Sequence, residues 1–190
     1  MISITSLSTF TIEQRASFGH NGYTSPQVYR VRKTTNANGF QWQVQLEDLA
    51  TPFLKNWKDY PADFAEYATL LEEGHSFGAY DNDRLIGVVI CTARSWNNTL
   101  YIENIHVSQF YRQQGVGGLL LNRVLQHASL QGFRHVELET QNTNVPAIAF
   151  YQRYGFDITG FNYHLYDGLD EFAFYMTKAT GQGYWRKPHD

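Results

Sequence analysis

A chain of 190 residues with 43% hydrophobic residues is long enough to bury a sizeable core and fits one domain rather than two. Its 15 Lys and Arg against 18 Asp and Glu give a formal charge of −3, and the basic residues are scattered. The electrostatic footprint of a nucleic-acid binder is therefore absent, and a cationic small substrate suits the balance better. A single cysteine, Cys91, excludes a disulfide within the chain. The start, Met1-Ile2-Ser3-Ile4-Thr5, has neither the charged nor the long apolar region of a signal peptide, and no run reaches membrane-spanning length. These features predict a cytoplasmic protein with no membrane or nucleic-acid partner.

Residues 1–27 carry little legible pattern. Residues 28–33 and 40–46 alternate as strands do, and Asn38-Gly39 between them favours a tight hairpin turn. Residues 61–73 place Phe64, Tyr67, Leu70 and Leu71 at the three-and-four spacing of an amphipathic helix, with Pro61 at its start and Gly74 at its end. Residues 75–80 and 85–93 read as strands paired across Asp81-Asn82-Asp83-Arg84, and Cys91 at the end of the second reads as a buried thiol. A turn at Asn97-Asn98 leads into a strand over 100–107, so the middle of the chain is an antiparallel meander. Residues 134–140 alternate as a half-buried strand, and 144–154 read as a capped helix stopped by Gly155.

The most informative stretch is Phe110-Tyr111-Arg112-Gln113-Gln114-Gly115-Val116-Gly117-Gly118-Leu119-Leu120-Leu121, where a strand has just ended and an apolar helical pattern begins. Unpaired N–H groups and the positive end of the helix dipole suit such a turn to a phosphate or pyrophosphate. Neither a P-loop nor a dinucleotide fingerprint fits the spacing. The Arg-x-x-Gly-x-Gly pattern formed by Arg112, Gly115 and Gly117 resembles the acetyl-CoA pyrophosphate loop of the GNAT superfamily of N-acetyltransferases. Downstream, Asn-x-x-Ala-x-x-Phe-Tyr-x-x-x-Gly-Phe, from Asn144 through Ala147, Phe150 and Tyr151 to Gly155 and Phe156, resembles that superfamily's second cofactor-contacting segment. Closer similarity is to the streptothricin acetyltransferases, which share Tyr-Ile-Glu-x-Ile-x-Val at residues 101–107, the loop at 114–117 and Leu-Glu-Thr-Gln-x-x-Asn at 138–144. The resemblance spans about residues 40–178. Residues 161–166 match only in part, and the tail over 179–190 stands apart.

The resemblance implies a mixed α/β fold: a mostly antiparallel twisted sheet flanked by helices, with two strands splayed to hold acetyl-CoA, in one domain over 1–190. It implies main-chain pairing of the cofactor with Ile105, His106 and Val107. Arg112, Gln113, Gln114, Gly115, Val116, Gly117 and Gly118 would surround the pyrophosphate, while Asn144, Ala147 and Tyr151 contact the pantetheine arm. Amide formation requires the acceptor amine to lose a proton and the departing thiolate to gain one. Glu103, just before the loop, is the first candidate base, with its acidity lowered if Tyr101, Ile102 and Ile105 limit its hydration. His106 is the alternative base, on the opposite strand face unless a bulge intervenes. Tyr151 is the candidate acid; each residue equally has a bland reading, as a strand-surface carboxylate or a core-facing ring. Glu137, Glu139, Asp81 and Glu171 are acidic residues suited to attract a cationic acceptor. No His–His or His–Cys spacing suggests a metal. Three readings stay open: a small-molecule amine acetyltransferase of streptothricin type, an enzyme acetylating protein N-termini or lysines, and a non-catalytic acyl-CoA-binding module. Exposed strand edges would suit a homodimer.

Overall fold

The computed structural model of the chain describes residues 1–167 and 171–181; the tail beyond Gly181 lies outside them. Its elements are β1 (Ile2–Ser6), α1 (Ile12–Ala16), β2 (Gly22–Asn36), β3 (Gly39–Asn56), α2 (Pro61–Glu72), β4 (Phe77–Asp81), β5 (Arg84–Arg94) and β6 (Thr99–Val107). After these come α3 (Val116–Leu130), β7 (His135–Gln141), α4 (Val145–Arg153), β8 (Asp157–Asn162) and β9 (Ala173–Ala179). They divide into two compact units, one of residues 1–21, 57–138 and the chain from Thr177, the other of residues 22–56 and 139–176. Among the described residues no helix is long and apolar enough to cross a membrane.

In the first unit the strands run in the order β1-β4-β5-β6-β7, antiparallel except for the parallel pair β6–β7. β5 is buried from Leu85 to Cys91, which is why it reads as a continuous apolar run rather than an alternation. One of its faces packs with Leu7, Phe10, Phe18 and Leu71, and the predicted helix α2 adds Phe64, Tyr67 and Leu70 to that cluster. α3 covers other residues of the sheet with Val116, Leu120, Val124 and Ala128 at four-residue spacing, and with Leu121. The approach is close at Gly87, where a Cβ would come 3.2 Å from both the His106 carbonyl and the Leu120 side chain. Cys91 is buried as expected, and burial pushes its thiol well above the usual range. The legible meander is therefore present; what the sequence left blank before residue 28 supplies an edge strand and a short helix capped by the Thr11–Gln14 box.

In the second unit β2 and β3 form a hairpin, but its turn residues are Ala37 and Asn38, one position before the expected Asn38-Gly39 pair, because Gly39 already pairs with Asn36 as the first residue of β3. The hairpin is also far longer than the two strands predicted, reaching Gly22 and Asn56. Pro26 sits at a register shift between Ser25 and Gln27, where its missing N–H removes no ladder bond. The unit also holds β8 and those parts of β7 and β9 that fall within residues 139–176. α4 buries Ile148 and Tyr151, and the rings of Tyr29, Phe174, Phe172 and Tyr163 pack in a continuous series of edge-to-face and tilted contacts.

Candidate active site

From the end of β6 the chain passes through a short 3-10 turn, Gln109–Tyr111, into the glycine-rich loop. Gln113 and Gly115 both take left-handed φ angles, 61° and 85°, and Gly115 is the N-cap of α3 with no side-chain cap bond. A side chain at Gly115 would meet nothing within 4 Å, so glycine is required by the backbone and leaves open space in front of the helix start. The N–H groups of Val116, Gly117 and Gly118 belong to the first turn and have no acceptor within the helix. That donor set beside an open approach fits the pyrophosphate of acetyl-CoA. Gln114 closes the loop by donating from Nε2 to the Phe110 carbonyl at 2.9 Å. Arg112 points back into the fold, donating from Nε to the Val107 carbonyl and from Nη2 to the His20 carbonyl. Its guanidinium therefore ties the loop to β6 and to the segment after α1.

β6 pairs with β7 only from Thr99 opposite His135 to Ile102 opposite Leu138, yet it continues to Val107. On its other side, Ile90 of β5 faces Asn104 and Cys91 faces Ile102, so Glu103 is the extra residue of a β-bulge. This is the bulge that the alternation of residues 101–107 did not reveal. It leaves Glu103 exposed, against the expectation that Tyr101, Ile102 and Ile105 would shield it from water. The next residue, Asn104, donates from Nδ2 to the Tyr67 hydroxyl on α2 at 2.8 Å, and burial holds that phenol above its usual range. Ile105, His106 and Val107 are half-buried. The His106 ring packs on Phe18 with centroids 5.7 Å apart, and its Nε2 has no hydrogen-bond partner among the described residues. Burial, together with Arg15, Arg112 and His20, depresses the imidazole to about 3. At neutral pH it is uncharged and too weakly basic to take a proton from an ammonium.

Two predicted acidic residues of this unit are already engaged. Asp81 accepts from the Tyr111 hydroxyl at 3.0 Å, and Glu137 pairs with Arg94 at 3.2 Å, whose guanidinium lies 3.3 Å from the centroid of the Tyr101 ring. In the second unit, Asn144 caps α4 by accepting from the Ala147 N–H at 3.3 Å, and its Nδ2 has no hydrogen-bond partner among the described residues. Tyr151 is buried between Phe150 and Phe156, so the core-facing reading of this ring describes its position correctly. Glu171 accepts from Thr143 at 3.0 Å and pairs with Lys55, while the half-buried Glu139 accepts from the Tyr166 hydroxyl.

Burial raises the Glu139 carboxyl above the ordinary value despite the Tyr166 bond. A raised folded value means that the native state holds its proton more tightly than the unfolded chain. Stability is then fullest in acid and is lost as pH rises through the raised value. Glu139→Gln keeps an oxygen for Tyr166 without the charge, so its melting temperature should exceed that of the parent by a margin that grows as pH rises from about 4, below the ordinary value of 4.5, to about 8. An equal margin at both pH values, read by thermal melts, would refute the assignment.

Sequence reasoning missed contacts between residues far apart in the chain. His75 and His127, 52 residues apart, share a 2.9 Å contact between ring nitrogens. Arg15 is buried beside Asp59 at 3.3 Å. Asn142 joins Tyr29 and Phe172. None of these has a local signature, because each depends on tertiary approach. Among the described residues no group of three or more His, Cys, Asp and Glu is placed to hold a metal ion.

Comparison with known proteins agrees with this geometry. The model of the Acetyltransferase (GNAT) family matches residues 42–156, more than half of the chain. A streptothricin acetyltransferase of Streptomyces lavendulae is 36% identical over 96 residues, 49% of this chain, which spans only about half (51%) of that relative's length. N-alpha-acetyltransferase 30 of Schizosaccharomyces pombe is 35% identical over 139 residues, covering 70% of this chain and 87% of its own. A Bacillus anthracis protein named for streptothricin acetylation, solved with acetyl coenzyme A, superposes with a TM-score of 0.70 at 26% identity over 94% of this chain and 99% of its own. The chain belongs to the GNAT acetyltransferase family, whose members are acetyl-CoA-dependent enzymes.

Proposed function

We propose that the protein acetylates a primary amine of a small cationic molecule of streptothricin type, drawing the acetyl group from acetyl-CoA. The observation that carries the reading is the β6 edge, which runs past its last β7 partner from a bulge at Glu103 to a left-handed glycine at the start of α3. An extended pantetheine arm can bond to the main chain of Ile105, His106 and Val107 as a neighbouring strand would. The loop N–H groups then take the pyrophosphate. Acetyl-CoA supplies the thioester. In this reading Glu103 accepts a proton from the acceptor ammonium, a β6 N–H near Val107 stabilises the oxyanion, and Tyr151 returns a proton to the departing thiolate. Asn144 holds the cofactor arm through Nδ2. Glu139 is the carboxylate best suited to attract a second ammonium of the acceptor, since its partner Tyr166 is neutral whereas Asp81, Glu137 and Glu171 each lie beside a cation, the Met1 amino group, Arg94 and Lys55.

The streptothricin relative supports a small cationic acceptor, and the S. pombe relative supports a peptide N-terminus. The two are separated by acetyl-CoA-dependent thiol release with streptothricin, measured beside polyamines, aminoglycosides and short peptides. Turnover fastest with streptothricin is expected, with a higher KM for it in Glu139→Gln. Turnover confined to peptides would overturn the acceptor assignment, and cofactor binding without turnover on any acceptor would overturn the enzymatic one.

A further inference from the structure

The β2–β3 hairpin is a two-stranded sheet, and among the described residues no further strand pairs with β3. Its two edges differ in chemistry. The central part of β2 carries Arg30, Arg32 and Lys33, so a second copy laid antiparallel on that edge would bring cations together. Residues 40–46 of β3, Phe-Gln-Trp-Gln-Val-Gln-Leu, contain no charge and no proline. All seven are exposed, with Phe40, Val44 and Leu46 at 65%, 42% and 44%. Sheet edges are ordinarily defended against pairing by lysine, proline or a bulge, and the register along this segment is regular from Gly39 to Asp48. An undefended, alternating, uncharged edge is built to be paired.

The segment is also complementary to itself. Turned antiparallel about Gln43, it sets Trp42 opposite Val44, Phe40 opposite Leu46 and Gln41 opposite Gln45. Every apolar residue then meets an apolar residue on one face, and glutamine meets glutamine on the other. A closed two-fold dimer requires such self-complementarity. The apolar face is already seeded within one chain, where the Trp42 ring lies 4.9 Å from that of Phe161 and Lys33 covers Phe40 at 4.7 Å. We infer that a second copy of this chain pairs antiparallel with residues 40–46 of β3, centred on Gln43, making a four-stranded sheet from two hairpins.

The test reads register as well as mass. Sedimentation of the full chain should give twice 21.9 kDa, and Phe40→Lys with Val44→Lys should return it to the single-chain mass with an unchanged far-ultraviolet spectrum. Antiparallel neighbours bring Cα atoms within about 4.5–5.5 Å, inside disulfide range. Gln43→Cys should therefore form a disulfide-linked dimer under mild oxidation at least tenfold faster than Gln41→Cys or Gln45→Cys alone, whereas those two mixed should cross-link to each other. Cys91 is buried and does not compete. A single-chain mass for the unaltered protein, a dimer insensitive to the lysine pair, or cross-linking of Gln43→Cys no faster than of Gln41→Cys would each overturn the inference.

Discussion

Glu103→Gln is expected to lower kcat by roughly 10²- to 10⁴-fold, the usual contribution of a positioned general base, while the affinity for acetyl-CoA stays unchanged. A primary ammonium has a reference pKa of about 10.4, so at neutral pH only about one acceptor molecule in 10³ carries the lone pair that attacks the thioester. Glutamine matches the shape of glutamate but takes no proton. The bulge gives this residue a position that a regular strand would not, and the 2.8 Å bond from Asn104 to Tyr67 anchors the adjoining turn of backbone to α2. His106, depressed to about 3, offers no substitute. The residual rate of the variant should therefore climb about tenfold per pH unit from 7 to 9 as free amine accumulates, while the parent rate is flatter. Isothermal titration of acetyl-CoA beside initial rates across that range gives the answer. A parental kcat at pH 7 would remove Glu103 from the chemistry, and a raised acceptor KM with unchanged kcat would make it a binding carboxylate instead.

Much of this arrangement was legible because it is local. The Gly115 helix start, the Asn144 cap of α4 and the Pro61 opening of α2 each rest on backbone preferences that a few neighbouring residues determine. The bulge was not read from the sequence: Glu103-Asn104 puts two polar residues in succession, a break that a half-exposed strand end shows as readily as a bulge. Only the pairing of Ile90 with Asn104 and Cys91 with Ile102 reveals it. The far halves of the hairpin were missed because Glu47 and Asp48 carry charges that strands disfavour, and their strand state comes from Val28 and Gln27 of β2 lying opposite. Which charges are paired is hidden for the same reason. Asp81, Glu137 and Glu171 look available in the sequence, and each meets a partner at a distance of 30 residues or more.

Asn142 shows most sharply what the motif text concealed. It lies two residues before the motif asparagine Asn144, yet it is fully buried, and both ends of its amide are used. Nδ2 donates to the Tyr29 carbonyl and Oδ1 accepts from the Phe172 N–H, each at 3.0 Å; its own backbone accepts from Tyr29 and donates to Phe172. One residue thereby fastens β2 and the approach to β9 onto the end of β7. Asn142→Ala strands two backbone groups, at about 1–3 kcal/mol each, so a loss of about 2–6 kcal/mol is expected. At about 2–4 °C per kcal/mol for a chain of this size, the melting temperature should fall by roughly 5–20 °C. Asn142→Asp keeps the acceptor for Phe172 but sets a carboxylate against the Tyr29 carbonyl, and should be at least as damaging. Asn142→Leu restores volume without restoring either bond, so it separates hydrogen bonding from packing. Hydrogen exchange at the Phe172 amide should quicken in Asn142→Ala and Asn142→Leu, which both lose its acceptor. An Asn142→Leu protein that melts with the parent would mean that volume, and not the two bonds, is what this position contributes.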